Sequence, residues 1–160
     1  MKTTLLTITA LISLQLSGLA FAQQDVAHGH GALEIFDAAG QANTPQWVMI
    51  WIYFMAASFA AGLFFVKNHS IARWVVGGFV LGIVCMTILG KVLGLPPISG
   101  YIATIHILFW SPGLYQLLTK RPFLGEQSAF SIWSGIITFV ILFSFVFDIR
   151  DAFIYLTDIF

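Results

Sequence analysis

The chain has 160 residues, of which 59% are hydrophobic and only 9% are charged. Its 7 basic and 7 acidic residues give no net charge, so there is no basic field of the kind that binds nucleic acid. The single cysteine, Cys85, excludes a disulfide within the chain.

The first 22 residues have the features of a secretory signal peptide. Lys2 supplies the positive charge, residues 5–16 form an apolar stretch, and residues 20–22 (Ala-Phe-Ala) form a small-x-small cleavage site. We therefore expect a mature chain that begins at Gln23, on the far side of a bacterial inner membrane. An uncleaved leader helix would place Gln23 on the same side.

Four long apolar stretches fill most of the remaining chain. Each has about 20 residues, enough for a helix to cross a hydrocarbon core of roughly 30 Å. They cover residues 46–66, 74–93, 100–118 and 128–147. The connections between them are short, and short connections make neighbouring helices antiparallel. The sequence thus predicts an all-α integral membrane protein, an antiparallel four-helix transmembrane bundle over residues 46–147.

The polar parts on either side of this bundle are a segment at residues 23–45 and a tail at residues 148–160. Within the first, residues 32–39 are expected to form two helical turns ending at Gly40. The tail has apolar residues at spacings of three and four, which predicts a short C-terminal interfacial helix. It would lie on the membrane surface or pack over the end of the bundle.

Charged residues in the connections predict the orientation. Lys67 and Arg73 lie in the first connection, and Lys120 and Arg121 lie in the third. By the positive-inside rule these connections are cytoplasmic, and both mature termini are periplasmic.

Small and bulky residues predict how the helices pack. The second stretch has two GxxxG spacings, at residues 78–82 and 90–94, and the first stretch is rich in alanine. We expect these two stretches to pack closely, or one of these faces to mediate oligomerisation. The fourth stretch is bulky and apolar nearly all round, which favours a position facing lipid.

His106 is the only histidine inside an apolar stretch, and Pro112, further along the same stretch, is expected to kink the helix. Polar residues at membrane depth are costly and often functional. The predicted positions of the helices place several polar residues at one depth in the membrane, where they form a candidate polar cluster. Its members are Thr87, Lys91, Tyr101, Thr104, His106, Asp148 and Arg150. A neutral histidine bonded to a neighbouring helix is the alternative for His106.

His28 and His30 form a second candidate site, with a weak possibility of copper or zinc binding. The glycines around them favour a flexible polar linker instead. No other cofactor is expected.

The sequence contains no catalytic motif. Its assignment as a membrane protein therefore leaves three hypotheses for the function. The first hypothesis is a non-enzymatic accessory or scaffold subunit, with the lipid bilayer and a second copy or a membrane complex as partners. The second is an oligomeric channel or transporter for ions, protons or a small solute that uses the polar cluster. The third is a periplasmic metal-binding or redox accessory protein.

Overall fold

The structure, a computed structural model, describes residues 27–160. The expected signal peptide and its cleavage site lie outside the described residues. Within them, 78% of residues are helical and none belongs to a strand. Two isolated β-bridges join His28 to Ile35 and Ile35 to Ile98.

Five α-helices make up this part of the chain. They are α1 (Ala38–Asn43), α2 (Gln46–Ala61), α3 (Ser70–Leu93), α4 (Ser99–Lys120) and α5 (Ala129–Ile159), with short 3-10 turns at Gly62–Phe64 and Pro122–Leu124. Three segments are long and apolar enough to cross a membrane: Gln46–Phe64, Ser70–Leu93 and Ala129–Ile159. This supports a membrane-embedded protein. The third predicted stretch, at residues 100–118, is helical as α4 but is not among these three segments, and it contains polar residues such as His106 and Gln116.

Local side chains decide where helices begin and end. The Ser128 hydroxyl accepts a hydrogen bond from the Ser131 N–H at the start of α5. Gly94, with φ of +67°, ends α3 in the left-handed conformation that favours glycine. The second predicted GxxxG spacing therefore ends in a helix cap.

The helix expected at residues 32–39 is wrong. Asp37 accepts hydrogen bonds from the N–H groups of Ala39 and Gly40 and so starts α1 at Ala38. The residues before it form turns, and Ile35 pairs with Ile98 instead.

The tail is not a separate interfacial helix, because α5 continues without a break to Ile159. No proline follows Ser128, and Gly135 is the last glycine, so nothing interrupts the helix near residue 148. The expected apolar stripe, represented by Phe153 at 68% exposure, faces outward. The opposite side packs inward through Ala152 and Tyr155.

The expectation that the fourth stretch faces lipid holds for at most one side of α5, since half of its apolar window is buried. Its buried face carries small hydroxyl residues, which are Ser131, Ser134, Thr138 and Ser144. The hydroxyls of Ser134 and Thr138 donate to carbonyls of α5 itself. Their polar groups are therefore satisfied, and the short side chains allow neighbours to approach.

The glycine face of α3 packs closely on α4 and not on α2 as expected. A Cβ at Gly78 would overlap the carbonyl oxygen of Phe109, and Gly113 lies against Val75 in return. Because low residue numbers of α3 meet high numbers of α4, the two helices run in opposite directions.

The core holds large side chains from every long helix. Among those less than 2% exposed are Phe59, Val75, Leu117, Ile137 and Ile141. The Trp133 indole donates a buried hydrogen bond of 3.0 Å to the Ser58 carbonyl, which links α5 to α2.

Candidate functional site

The candidate site is a histidine–carboxylate pair between α4 and α5. Nδ1 of His106 lies 3.4 Å from Oδ2 and 3.5 Å from Oδ1 of Asp148. The two side chains are only 20% and 15% exposed. The imidazole thus meets the carboxylate within the helical assembly, away from most solvent.

An indole covers one face of this imidazole. Trp110 follows His106 by one helical turn, and the two rings stack with centroids 4.0 Å apart and planes 15° apart. Trp110 is 2% exposed and touches Phe59 of α2, whose ring stacks on Phe79 of α3. Side chains of all four long helices therefore hold the histidine in place.

This arrangement fixes the orientation of the imidazole. The Asp148 carboxylate lies at the ring edge and the Trp110 indole covers one ring face. With Nδ1 directed at Asp148, Nε2 is the nitrogen left for a second partner.

Three buried polar atoms lack a hydrogen-bond partner among the described residues. They are the hydroxyl oxygen of Tyr101, Nε1 of Trp110 and Oδ2 of Asp148. Such atoms are few in folded proteins, and all three belong to α4 and α5. Nε1 of Trp110 lies towards Gly82 of α3, and Oδ2 of Asp148 has only the 3.4 Å ion-pair contact with His106.

Residues 27–37, here called the capping segment, cover the end of α4 beyond the pair. The N–H groups of Ser99 and Gly100 donate to the carbonyls of Glu34 and Ala32, at 3.0 and 2.7 Å. The N-cap residue Ile98 offers no side-chain bond, so distant backbone satisfies the free N–H groups of this helix end.

Gly100 of α4 lies in close contact with the capping segment. A Cβ there would lie under 3 Å from side-chain or backbone atoms of Tyr155, Asp151 and Ala32. Only glycine lets α4, α5 and the capping segment converge at this point. From Gly100 to His106 is six residues, roughly 9 Å along the helix.

The structure brings together two members of the predicted cluster, His106 and Asp148. Lys91, another member, forms no ion pair with Asp148, because Asp148 faces His106 and the Lys91 side chain is exposed. Arg150, 73% exposed, lies 3.7 Å from Asp151.

The other cluster members use their hydroxyls differently. Those of Thr87 and Thr104 donate to carbonyls of their own helices, at Ile83 and Gly100. Tyr101 lies beside Tyr155, with ring centroids 6.5 Å apart. Pro112 lies inside α4, which continues through it, so the kink stays a prediction.

The segment with His28 and His30 is folded and is not the expected linker. Nδ1 of His28 lies 3.0 Å from Oδ1 of Asp37, and Glu34 accepts a hydrogen bond from the Gly31 N–H. A side chain at Gly29 would overlap the Glu34 carboxylate. Gly31 lies against the same side chain.

Hydrogen bonding from the Gly40 N–H, and then from His28, lowers the pKa of Asp37 below its ordinary 3.8. Across residues 27–160, no group of three His, Cys, Asp or Glu side chains is placed to hold a metal ion. Binding of copper or zinc by His28 and His30 stays a prediction.

Sequence reasoning did not single out Asp151, Tyr155 or Gly100 as parts of the site. Their signal was present: Asp148, Asp151 and Tyr155 follow spacings of three and four, which place them on one face of a continuous helix. That face was hidden by the assumption that α5 ends near residue 147.

No protein-family model, no curated protein and no solved structure matches this chain.

Proposed function

We propose that the chain is a four-helix integral protein of a bacterial inner membrane that acts as a non-enzymatic accessory or scaffold subunit. In this proposal α4 also spans the membrane, as the third helix of an antiparallel four-helix bundle. Support comes from its contacts with α3 and α5, which let its polar residues face protein and not lipid. The basic connections favour a cytoplasmic position for them, with periplasmic termini.

The observation that carries the accessory role is the open surface of α2. Only 17% of its apolar window is buried, compared with half in α5. Its uncovered side includes the small residues Ala57 and Ala60 beside Tyr53, which is 65% exposed. In lipid, small residues allow a second helix to approach closely. A membrane-embedded partner, or a second copy, fits this side.

Site-specific photocrosslinking in native membranes tests the proposal. A photoreactive residue in place of Ala57 should give a crosslinked product of defined mass. The matched control is Val146 of α5, which is 68% exposed and should give only diffuse lipid adducts. A monomeric protein without a defined product at Ala57 would contradict the accessory role.

Cysteine labelling tests the topology on a Cys85→Ser background. A membrane-impermeant thiol reagent should reach Asn68→Cys and Glu126→Cys from one side of the membrane and Asp158→Cys from the other. All three positions are exposed in the structure. Labelling of all three from the same side would exclude the four-span arrangement.

The pair of His106 and Asp148 favours a second function, an oligomeric channel or transporter for protons, other ions or a small solute. A titratable pair next to unpartnered polar atoms is the arrangement that proton pathways in membranes use. In liposomes, proton flux should fall on His106→Ala or Asp148→Asn. A wild-type protein that conducts nothing under any ion or pH gradient removes this candidate.

Binding of copper or zinc in the periplasm is the remaining proposal, supported by the exposed imidazole of His30. Metal analysis of the mature protein after incubation with copper or zinc tests this proposal. A metal-free protein would exclude it.

A further inference from the structure

We propose that the end of the molecule where α3 begins and α4 ends binds anionic phospholipid headgroups. Four basic residues lie there, here called the basic rim: Lys67, Arg73, Lys120 and Arg121. All four are exposed. The inference rests on the proposed insertion in a membrane and adds anionic phospholipid as a binding partner.

Ring contacts bring the two connections that carry the basic rim together. The imidazole of His69, just before α3, stacks on the ring of Phe130 at the start of α5, with centroids 3.6 Å apart and planes 7° apart. Phe65 lies 5.6 Å from the same ring. Ala72 of α3 and Leu117 of α4 also belong to one buried cluster. The four cations therefore border a single end of the assembly.

Neutral groups alone hold these cations. Lys120 donates to the Gln116 side-chain oxygen at 3.2 Å, and Arg121 donates to the Leu118 carbonyl at 3.2 Å. None of the four lies within 4.0 Å of a carboxylate in residues 27–160. Glu126 is the one acidic residue in these connections, and it is exposed.

The opposite end differs, because three of its carboxylates have partners within the chain. Asp37 pairs with His28, Asp148 with His106 and Asp151 with Arg150. None of the four cations of the basic rim has such a partner among the described residues. A counter-charge for the basic rim has to come from another molecule, and a phosphate diester is the anion that a membrane supplies there.

Exposed aromatic and apolar side chains next to the basic rim select a lipid over free phosphate. Trp74 directly follows Arg73 and is 55% exposed, and Tyr115, about one turn before Lys120, is 69% exposed. Amphipathic rings at this height favour the level between headgroups and acyl chains. Phe64, 85% exposed, adds an apolar surface that acyl chains can cover.

The test measures the thermal midpoint of the full chain in phosphatidylcholine bicelles, with and without phosphatidylglycerol. At ten times its dissociation constant, phosphatidylglycerol should raise the midpoint by about 3–6 °C. The double variant Arg73→Gln/Lys120→Gln should lose at least half of this shift. The matched control Lys91→Gln/Arg150→Gln removes two exposed cations from the opposite end and should keep the shift.

The proposal would be overturned if added phosphatidylcholine raised the thermal midpoint as much as phosphatidylglycerol does. It would also be overturned if the two double variants lost equal parts of the phosphatidylglycerol shift. A full shift from inorganic phosphate would overturn it as well, since that needs no acyl chain. Should the first double variant not fold, Lys120→Gln alone serves, because its ammonium bonds only Gln116. Native mass spectrometry should then count fewer retained phosphatidylglycerol molecules than in the wild type, and an equal count would contradict the site. If the wild-type protein does not enter bicelles, the proposed membrane insertion fails. This result differs from one in which the protein enters bicelles but does not bind phosphatidylglycerol.

Discussion

Nδ1 of His106 lies 3.4 Å from a carboxylate oxygen of Asp148 and joins α4 to α5 across 42 residues of sequence. Both side chains are mostly buried, and an indole covers the imidazole. The pair is therefore a structural link between two helices as well as the candidate site.

Replacing Asp148 with alanine should lower the free energy of unfolding by about 1–3 kcal/mol, because the half-buried imidazole loses its partner. Thermal or denaturant unfolding in one detergent measures this. Asp158→Ala, at an exposed position of the same helix, should change stability by no more than about 0.5 kcal/mol. Equal effects of the two substitutions would show that the pair contributes nothing.

Gly78 and Gly77 are neighbours in α3 with opposite surroundings. An alanine at Gly78 would overlap the Phe109 carbonyl and should destabilise by about 1–3 kcal/mol. An alanine at Gly77 meets nothing within 4 Å and should stabilise the helix by up to about 1 kcal/mol. Comparison of the unfolding midpoints of the two variants checks both signs at once, and a stable Gly78→Ala protein would contradict the close packing of α3 on α4.

Gly100→Ala should release the capping segment, because a Cβ there has no room beside Tyr155 and Ala32. Hydrogen exchange of the Ser99 and Gly100 amides, which donate to that segment, should become faster. Gly90→Ala is the control, since its nearest neighbour, the Leu95 carbonyl, lies at an ordinary 3.8 Å. Unchanged exchange in Gly100→Ala would show that the segment is not held at this point.

Stability of the capping segment should fall in acid because of Asp37. Its pKa is lowered from 3.8 by the Gly40 N–H and by His28, so the folded form favours the charged carboxylate. This contribution is complete above about pH 4, where the unfolded chain is also charged, and is lost as pH falls through the lowered pKa. Amide exchange of Ala39 and Gly40 against pH measures it.

An Asp37→Asn variant should lose this acid sensitivity while the side chain still caps α1. Glu126→Gln, at an exposed carboxyl elsewhere, should leave the wild-type profile unchanged. An acid transition that persists in Asp37→Asn would assign it to another group.

Trp133→Phe should destabilise by about 1 kcal/mol or more, because it removes the buried hydrogen bond to the Ser58 carbonyl and part of the core volume. Trp74→Phe removes an indole that is 55% exposed and should have a smaller effect on unfolding in detergent. A reversed order would place the packing of α2 on α5 in doubt.

The sequence by itself determined the class of fold and the approximate helices. Runs of about 20 apolar residues allow few structures other than long helices, and three of the four are confirmed as candidate spans. It also singled out His106, the only histidine inside an apolar stretch, and Asp148, because the predicted heights of the helices place it at the same level.

Tertiary structure decided which faces meet. Composition predicted a lipid-facing helix for the fourth stretch, yet its four small hydroxyl residues allow close packing on one side, which is buried. The partner of Asp148 depended on the register of α4 against α5, where Gly100 lies in close contact with Asp151 and Tyr155. Register and facing arise from contacts between residues far apart in the chain, so a periodic pattern within one helix does not contain them.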